Sequence, residues 1–392
     1  MRRSIAELRD EVPLLGQNVY LNNARISPPP AIATETMGEI LERERSMGWH
    51  TMDSEKLIWD TRTSIARLIG AEADEIAITQ SATYSVNVIA GGLSWPRGGN
   101  IVMTDLDYRS VAESFIRAAK DEGLEIRIVP SESLFLDPAA FEPFLDERTR
   151  IVVVPYVPTF CGVVQPVEEI GRVARKTGAL YAVNATQAVG RFPIDVGRIG
   201  CDFLFGTSRK WLRGPRGLGF LYVRKAIIPE LRPPYMGARC AEWVGPTEYR
   251  LAQDIERLQT GDYPYVLLAG LEAAASFAHD VGLEWIGERS AHLGALARER
   301  FSEIRGVTVY DIAHGSLATV PVNVAGISGD QVVREMGMRG IVCCTIVEEN
   351  CLLALRSLGL AELVRISIHY YNTEAEIDKA AAALEEMAAV RG

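Results

Sequence analysis

Lys210 is the residue whose setting could support covalent chemistry. The chain carries 35 arginines but only six lysines, and five of these (Lys56, Lys120, Lys176, Lys225 and Lys379) sit on polar helix faces or just past an element. Lys210 instead follows an apolar run at 202–205 and a polar turn at 206–209, and it precedes Trp211 and Leu212. A second apolar run, 219–223, closes the stretch 201–224. A lysine that is desolvated, or set beside other cations, loses its charge and becomes a nucleophile toward carbonyls. Arg209, Arg213 and Arg216 supply such cations. Two readings stand on these residues: a Schiff-base lysine holding an aldehyde cofactor, or a surface lysine in an arginine-rich loop.

The elements around Lys210 would place it at a sheet edge. Strand-like runs at 75–79, 100–104, 125–130, 150–157, 179–184, 201–205 and 219–223 alternate with helix-like segments such as 111–120 and 166–176. The runs are continuously apolar, which fits strands covered on both faces in a mainly parallel, seven-stranded α/β sheet. Ligands of such sheets bind at the carboxyl ends of the strands. At those ends stand Ser81-Ala82-Thr83, opening a helix whose free N–H groups could hold a phosphate or could simply be capped. Tyr108 could stack on a flat ring or serve packing. Thr159 follows the fourth run, Asn184 and Gln187 end the fifth, and Lys210 follows the sixth.

Before the sheet, an extended piece ends in Asn22, Asn23 and Arg25 and is stopped by three prolines at 28–30. Residues 31–70 hold two helical patterns, the second opening with Ser54 as its N-cap. Residues 226–262 are loop-rich, helical patterns cover 264–281 and 284–304, and a smaller α+β unit follows from 307. The expected division is an N-terminal segment 1–30, a large domain 31–285 and a small C-terminal domain 286–392.

A net charge of −10 argues against broad electrostatic binding to nucleic acid or to an anionic membrane. The N-terminus has no apolar core behind its two arginines, so no secretion signal is expected, and no apolar run approaches the roughly 18 residues of a membrane span. A cytoplasmic protein is expected. The six cysteines form no CxxC pair and the five histidines are scattered, so no metal site is expected.

The chain resembles the class V aminotransferase family of fold-type-I pyridoxal 5′-phosphate (PLP) enzymes. The resemblance rests on YLNNA (20–24), SAT (81–83), GVVQPVEEIG (162–171), VNATQAVGRFPIDV (183–196), SRKWLRGPRGLGFLYV (208–223) and VRISIHYYNTEAEID (364–378). It implies that Lys210 carries PLP and later moves the substrate proton. Ala82 and Thr83 would hold the phosphate, with Thr207 and Arg209 beside the lysine. Tyr108 stands where many relatives stack histidine on the ring, Gln187 would contact the ring O3′, and Thr159 takes a position often held by asparagine. Arg365 would grip the substrate carboxylate, and Asn22, Asn23 and Arg25 would help to wall the substrate pocket. The resemblance also implies a homodimer with its active site at the interface, where Thr260 would reach the other subunit's phosphate. The match there is weak, because Asp262 stands where threonine is expected. The largest departure is Asn184, where most relatives place an aspartate on the pyridine nitrogen.

Within the family, Arg209-Lys210, the following LRGPRG and Tyr108 resemble isopenicillin-epimerase-like proteins and C–S lyases, including enzymes of ergothioneine and lincosamide-antibiotic pathways. The leading expectation is β-elimination from an S-substituted cysteine conjugate. Decarboxylative oxidation of such a conjugate by O2 is the alternative, with epimerase, desulfurase, aminotransferase and non-enzymatic scaffold readings ranked lower. The nucleophile of a desulfurase would fall near Glu349, so Cys343, Cys344 and Cys351 are read as structural.

Overall fold

The computed structural model describes residues 3–389. A short helix α1 (Ile5–Asp10) leads into strand β1 (Val19–Tyr20), then helices α2 (Ala31–Met47) and α3 (Ser54–Ile69). Asp53, not Ser54, caps α3: its carboxylate accepts from the Lys56 N–H, which leaves Ser54 as the first helical residue. Alternation of strand and helix follows, through β2 (Ile76–Thr79), α4 (Ala82–Gly92), β3 (Asn100–Thr104), α5 (Arg109–Glu122), β4 (Glu125–Val129), β5 (Thr149–Pro155), α6 (Val167–Arg175), β6 (Leu180–Asn184), α7 (Val196–Ile199), β7 (Phe203–Thr207) and β8 (Gly219–Val223).

These strands form one seven-stranded sheet in the order β2-β8-β7-β6-β5-β3-β4. Four neighbouring pairs, β7-β6, β6-β5, β5-β3 and β3-β4, run parallel, and β8 is antiparallel to both β7 and β2. Both faces are buried: Val152 and Val154 of β5 enter one apolar core, and Ile151 and Val153 enter the other. That is why the strands read as unbroken apolar runs. β7 extends two residues beyond the expected run, because Gly206 and Thr207 pair with Phe220 and Gly219 of β8. Backbone pairing overrides their turn-like side chains.

The segment 226–262 is not wholly loop. It contains a hairpin of β9 (Ala241–Gly245) and β10 (Glu248–Leu251), which stands out from the body with Trp243 and Tyr249 exposed. Helices α8 (Tyr265–Val281) and α9 (Leu283–Ser302) lead to β11 (Val307–Val309), β12 (Thr319–Val324), α10 (Gly329–Met338), β13 (Ile341–Val342), β14 (Cys344–Val347), α11 (Leu352–Ser357), β15 (Glu362–Ser367) and α12 (Glu374–Ala389). A four-stranded antiparallel sheet, β11-β12-β15-β14, covers a third core. β1 pairs in parallel with β13 and so ties the N-terminal segment to this C-terminal layer. Among the described residues no single helix is long and apolar enough to cross a membrane. The bent pair α8–α9 has the composition, and its apolar side chains pack in the core.

Candidate active site

The turn after β7 carries Lys210, and the residues behind it are locked. Trp211 is buried and donates from its indole N–H to Gln187 Oε1 at 2.7 Å, with the Arg191 guanidinium 3.8 Å from its ring centre. The Trp211 carbonyl lies 3.1 Å from Nε2 of buried His369. Arg213 adopts a left-handed conformation (φ 62°), a cost that its buried contacts to Pro28 O and Tyr370 Oη offset. Gly190 allows the close approach, since a Cβ there would stand 2.6 Å from Leu212 Cα. The peptide on the far side of Lys210 is therefore rigid, and its side chain is directed by the fold.

Lys210 opens into a cleft with two lobes. The inner lobe, about 670 Å³, is lined by Ser81, Ala82, Thr83, Asn184, Thr207 and Phe205 among others. The outer lobe, about 690 Å³, is lined by Ala24, Arg25, Cys344, Thr345, Asn350 and Arg365 among others. Tyr108, Thr159, Arg209 and Lys210 belong to both. Enclosure, with Arg365 and Arg209 close by, pushes the Lys210 pKa well below the ordinary lysine value. Neutral amine is the form that attacks an aldehyde.

The inner lobe has the chemistry of a phosphate-bearing ring site. Ser81 caps α4 and leaves the N–H groups of the first turn at the lobe. Arg209 lies beside them; burial and Arg216 lower its pKa, and its Nη1 donates to the Arg25 carbonyl at 2.5 Å. Thr207 Oγ1 donates to Leu218 O, and Thr83 Oγ1 to Ser110 Oγ. Tyr108 is the N-cap residue of α5, with its ring at the junction of the lobes. These residues fit PLP: Lys210 for the aldehyde, the α4 N-terminus and Arg209 for the phosphate, and Tyr108 for the ring.

Thr159 and Gln187 divide their work differently from expectation. Gln187 Nε2 donates to Ala24 O at 3.1 Å and to Thr159 Oγ1 at 2.8 Å, and Oε1 accepts from Trp211. Both of its amide hydrogens are engaged, so the contact to O3′ expected of Gln187 has no free donor. Thr159 Oγ1 accepts from Gln187 and from Arg365 Nη1, which leaves its own hydroxyl hydrogen unused within the protein.

The outer lobe is assembled by the small sheet. Cys344 and Arg365 are directly opposed on β14 and β15, which sets thiol beside guanidinium. Arg365 Nη2 donates to Cys344 Sγ at 3.3 Å and Nη1 to Thr159 O at 2.7 Å, while its buried Nε has no protein partner. Cys344, read from sequence as structural, is brought to the outer lobe by this register. Burial raises Cys343 and Cys351 to about 12, the thiols of packing residues. Glu349 is 82% exposed and pairs with Arg109 at 3.7 Å rather than facing the cleft.

Two expected substrate residues lie elsewhere. Asn23 is fully buried; its Nδ2 donates to Ser367 O at 2.8 Å and its Oδ1 accepts from Tyr371 and Ser27. It holds the N-terminal segment to β15 and has no face toward the lobes. Asn22 is likewise buried and joins Ser367 by a parallel bridge. Arg25 does reach the outer lobe. Thr260 lines a separate cleft of about 460 Å³ with Tyr84, Gln259 and Asp262.

A mainly parallel seven-stranded sheet with a depressed-pKa lysine after a central strand defines a fold-type-I PLP-dependent enzyme, with PLP as its cofactor. The chain belongs to the class-V aminotransferase family, whose model matches residues 19–380. A probable cysteine desulfurase of Methanothermobacter thermautotrophicus is 29% identical over 391 residues, covering 97% of this chain and 98% of the relative. A cysteine desulfurase of Yersinia pestis is 26% identical over 410 residues, the full length of both. The apo cysteine desulfurase of Thermococcus onnurineus NA1 superimposes with a TM-score of 0.93 at 26% identity, covering 100% of this chain and 99% of the other.

These relatives overturn the expected reaction. Full-length similarity to cysteine desulfurases replaces both β-elimination from an S-substituted cysteine conjugate and its decarboxylative oxidation. The antibiotic-pathway setting falls with them. The desulfurase reading ranks lower on sequence because the expected nucleophile falls near Glu349 and not on a cysteine.

Proposed function

We propose that this chain is a PLP-dependent enzyme acting on the C–S bond of L-cysteine, a cysteine desulfurase in which Cys344 takes the sulfur. One observation carries the reading: Lys210, Arg365 and the Cys344 thiol line one lobe. The names of the full-length relatives support it. PLP would supply an aldehyde for the substrate amine and an electron-withdrawing ring that weakens the bonds at Cα.

Arg365 receives the substrate carboxylate through its unpartnered Nε edge, a bidentate geometry that lysine would not reproduce. Lys210, whose pKa is lowered by enclosure and by the neighbouring Arg365 and Arg209, takes the α-proton. The Arg365 guanidinium holds the Cys344 sulfur at the lobe through its Nη2–H···Sγ contact of 3.3 Å. A bond forms between Cys344 Sγ and the substrate sulfur as the Cβ–S bond breaks. The electron pair remains on Cβ, which takes the proton given up by the reacting thiols, and Lys210 returns its proton to Cα, so the products are alanine and a Cys344 persulfide. Cβ gains the two electrons that the transferred sulfur loses, and no outside oxidant is required. The reading includes a homodimer, supported by the exposed apolar hairpin β9–β10.

The test is a product assay on the PLP-loaded protein with L-cysteine, with thiols alkylated and mapped by mass spectrometry. Alanine equal to sulfur released, and an extra sulfur on Cys344, are expected. Cys344→Ser should lose at least about 100-fold in turnover while the cofactor's absorbance is kept. Pyruvate and ammonia in place of alanine would sink the reading.

A further inference from the structure

Asn184 closes β6 with its backbone carbonyl accepting from Tyr156 N at 3.0 Å, and its side chain lines the inner lobe. The Thr186 N–H donates to Asn184 Oδ1 at 3.1 Å. A backbone N–H can only donate, so the amide atom it meets is the oxygen, and the orientation of this amide is fixed. The planar group then presents Nδ2 on its other side. Among the described residues, Nδ2 has no protein acceptor. The residue is only 8% exposed, so that donor is held at the lobe and not in open solvent.

An aspartate in this place would meet Thr186 with one oxygen and offer a second oxygen to a ring N–H. Asparagine offers a hydrogen instead. Its complement is a lone pair. A protonated ring nitrogen would set two donors against each other, with neither satisfied. The charges agree: Arg209 and Lys210 line the inner lobe, Arg25 and Arg365 the outer one, and no carboxylate among the described residues lines either.

We infer that Asn184 holds the PLP ring in its unprotonated form, by donating from Nδ2 to the pyridine nitrogen. The inference goes beyond the sulfur-transfer reading and rests only on Lys210 as the cofactor lysine. Asn184 is a positioning and tuning residue. A neutral ring takes up less of the charge that develops at Cα. Full amino transfer, which leans most on that charge uptake, is the side reaction most suppressed.

The experiment is nitrogen NMR of the holoenzyme loaded with PLP labelled at the ring nitrogen. The wild type should resonate as a free-base pyridine across neutral pH, and Asn184→Asp should move to the pyridinium position. An analogue with C–H in place of the ring nitrogen should bind the wild type roughly three- to tenfold less tightly than PLP. A pyridinium signal from the wild type overturns the inference even if the variant fails to load. A free-base signal from Asn184→Asp overturns it as well, since residue 184 would then not set the protonation. Borohydride reduction and peptide mapping check the premise separately: cofactor fixed on any lysine but Lys210 removes the site on which the inference stands.

Discussion

Asp107 precedes Tyr108, which lines both lobes, and is itself buried. Its Oδ2 accepts from the Thr104 N–H at 3.0 Å and Thr104 hydroxyl at 3.1 Å, while Oδ1 has no partner. Burial, with Asp105 adding to it, pushes this carboxyl up to about 7. A folded-state pKa raised above the unfolded one contributes stability that is present below the unfolded value of about 4, and is lost as pH rises through about 7. Asp107→Asn, which has no charge to bury, should therefore gain on the wild type by a few kcal/mol between about pH 4 and pH 8. Urea midpoints of the two proteins at both ends of that range measure it; an unchanged gap would mean that Asp107 does not titrate there. At this scale Lys210 was legible, because a lone lysine between apolar segments is a local pattern. Cys344 was not: it gains meaning only opposite Arg365, 21 residues away, and that pairing is made by the sheet. Asn23 was misread for a related reason, since its amide is consumed by residues more than 340 positions distant.

The inner parallel strands β3, β5, β6 and β7 were legible because both faces of each are buried, so the apolar run is the element; the edge strand β4, with Glu125 and Arg127, is less covered. The ends of the strands were less legible, as Gly206 and Thr207 illustrate, because a ladder can extend through residues that favour turns. What joins the two sheets left no sequence signal. Asp311, fully buried, receives the Arg298 fork at 3.0 and 2.6 Å, and also accepts from the Gly162 N–H at 2.9 Å. Gly162 is required there, because a Cβ would lie 2.1 Å from Leu317 O. Removing one member of a buried pair strands the other charge. Asp311→Ala should cost about 3–5 kcal/mol in chemical denaturation. A loss under about 1 kcal/mol, the range of surface pairs, would show that water reaches Arg298.

Among the described residues, the loop and hairpin of 235–249 carry five exposed large apolar side chains, Tyr235, Met236, Trp243, Val244 and Tyr249. Trp243 is 81% exposed. Large exposed apolar patches are uncommon on monomers. Sedimentation should give twice the mass of one chain, and Trp243→Glu should shift the protein toward the monomer. A wild type that sediments as a single chain at every concentration would refute the dimer. The pairing of β1 with β13 has a consequence in time. The two strands are roughly 320 residues apart, so at about 5–20 residues per second the ribosome finishes β13 some 15–60 s after β1. Through that interval the N-terminal strand has no partner, and Arg365 and Cys344 do not yet exist. The residues lining the inner lobe are all made by Lys210, but His369 and Tyr370, which lock the turn behind that lysine, come near the end of the chain. A growing chain thus carries the parts of its cofactor pocket early, yet it can neither hold them in place nor offer a place for substrate until synthesis is almost over.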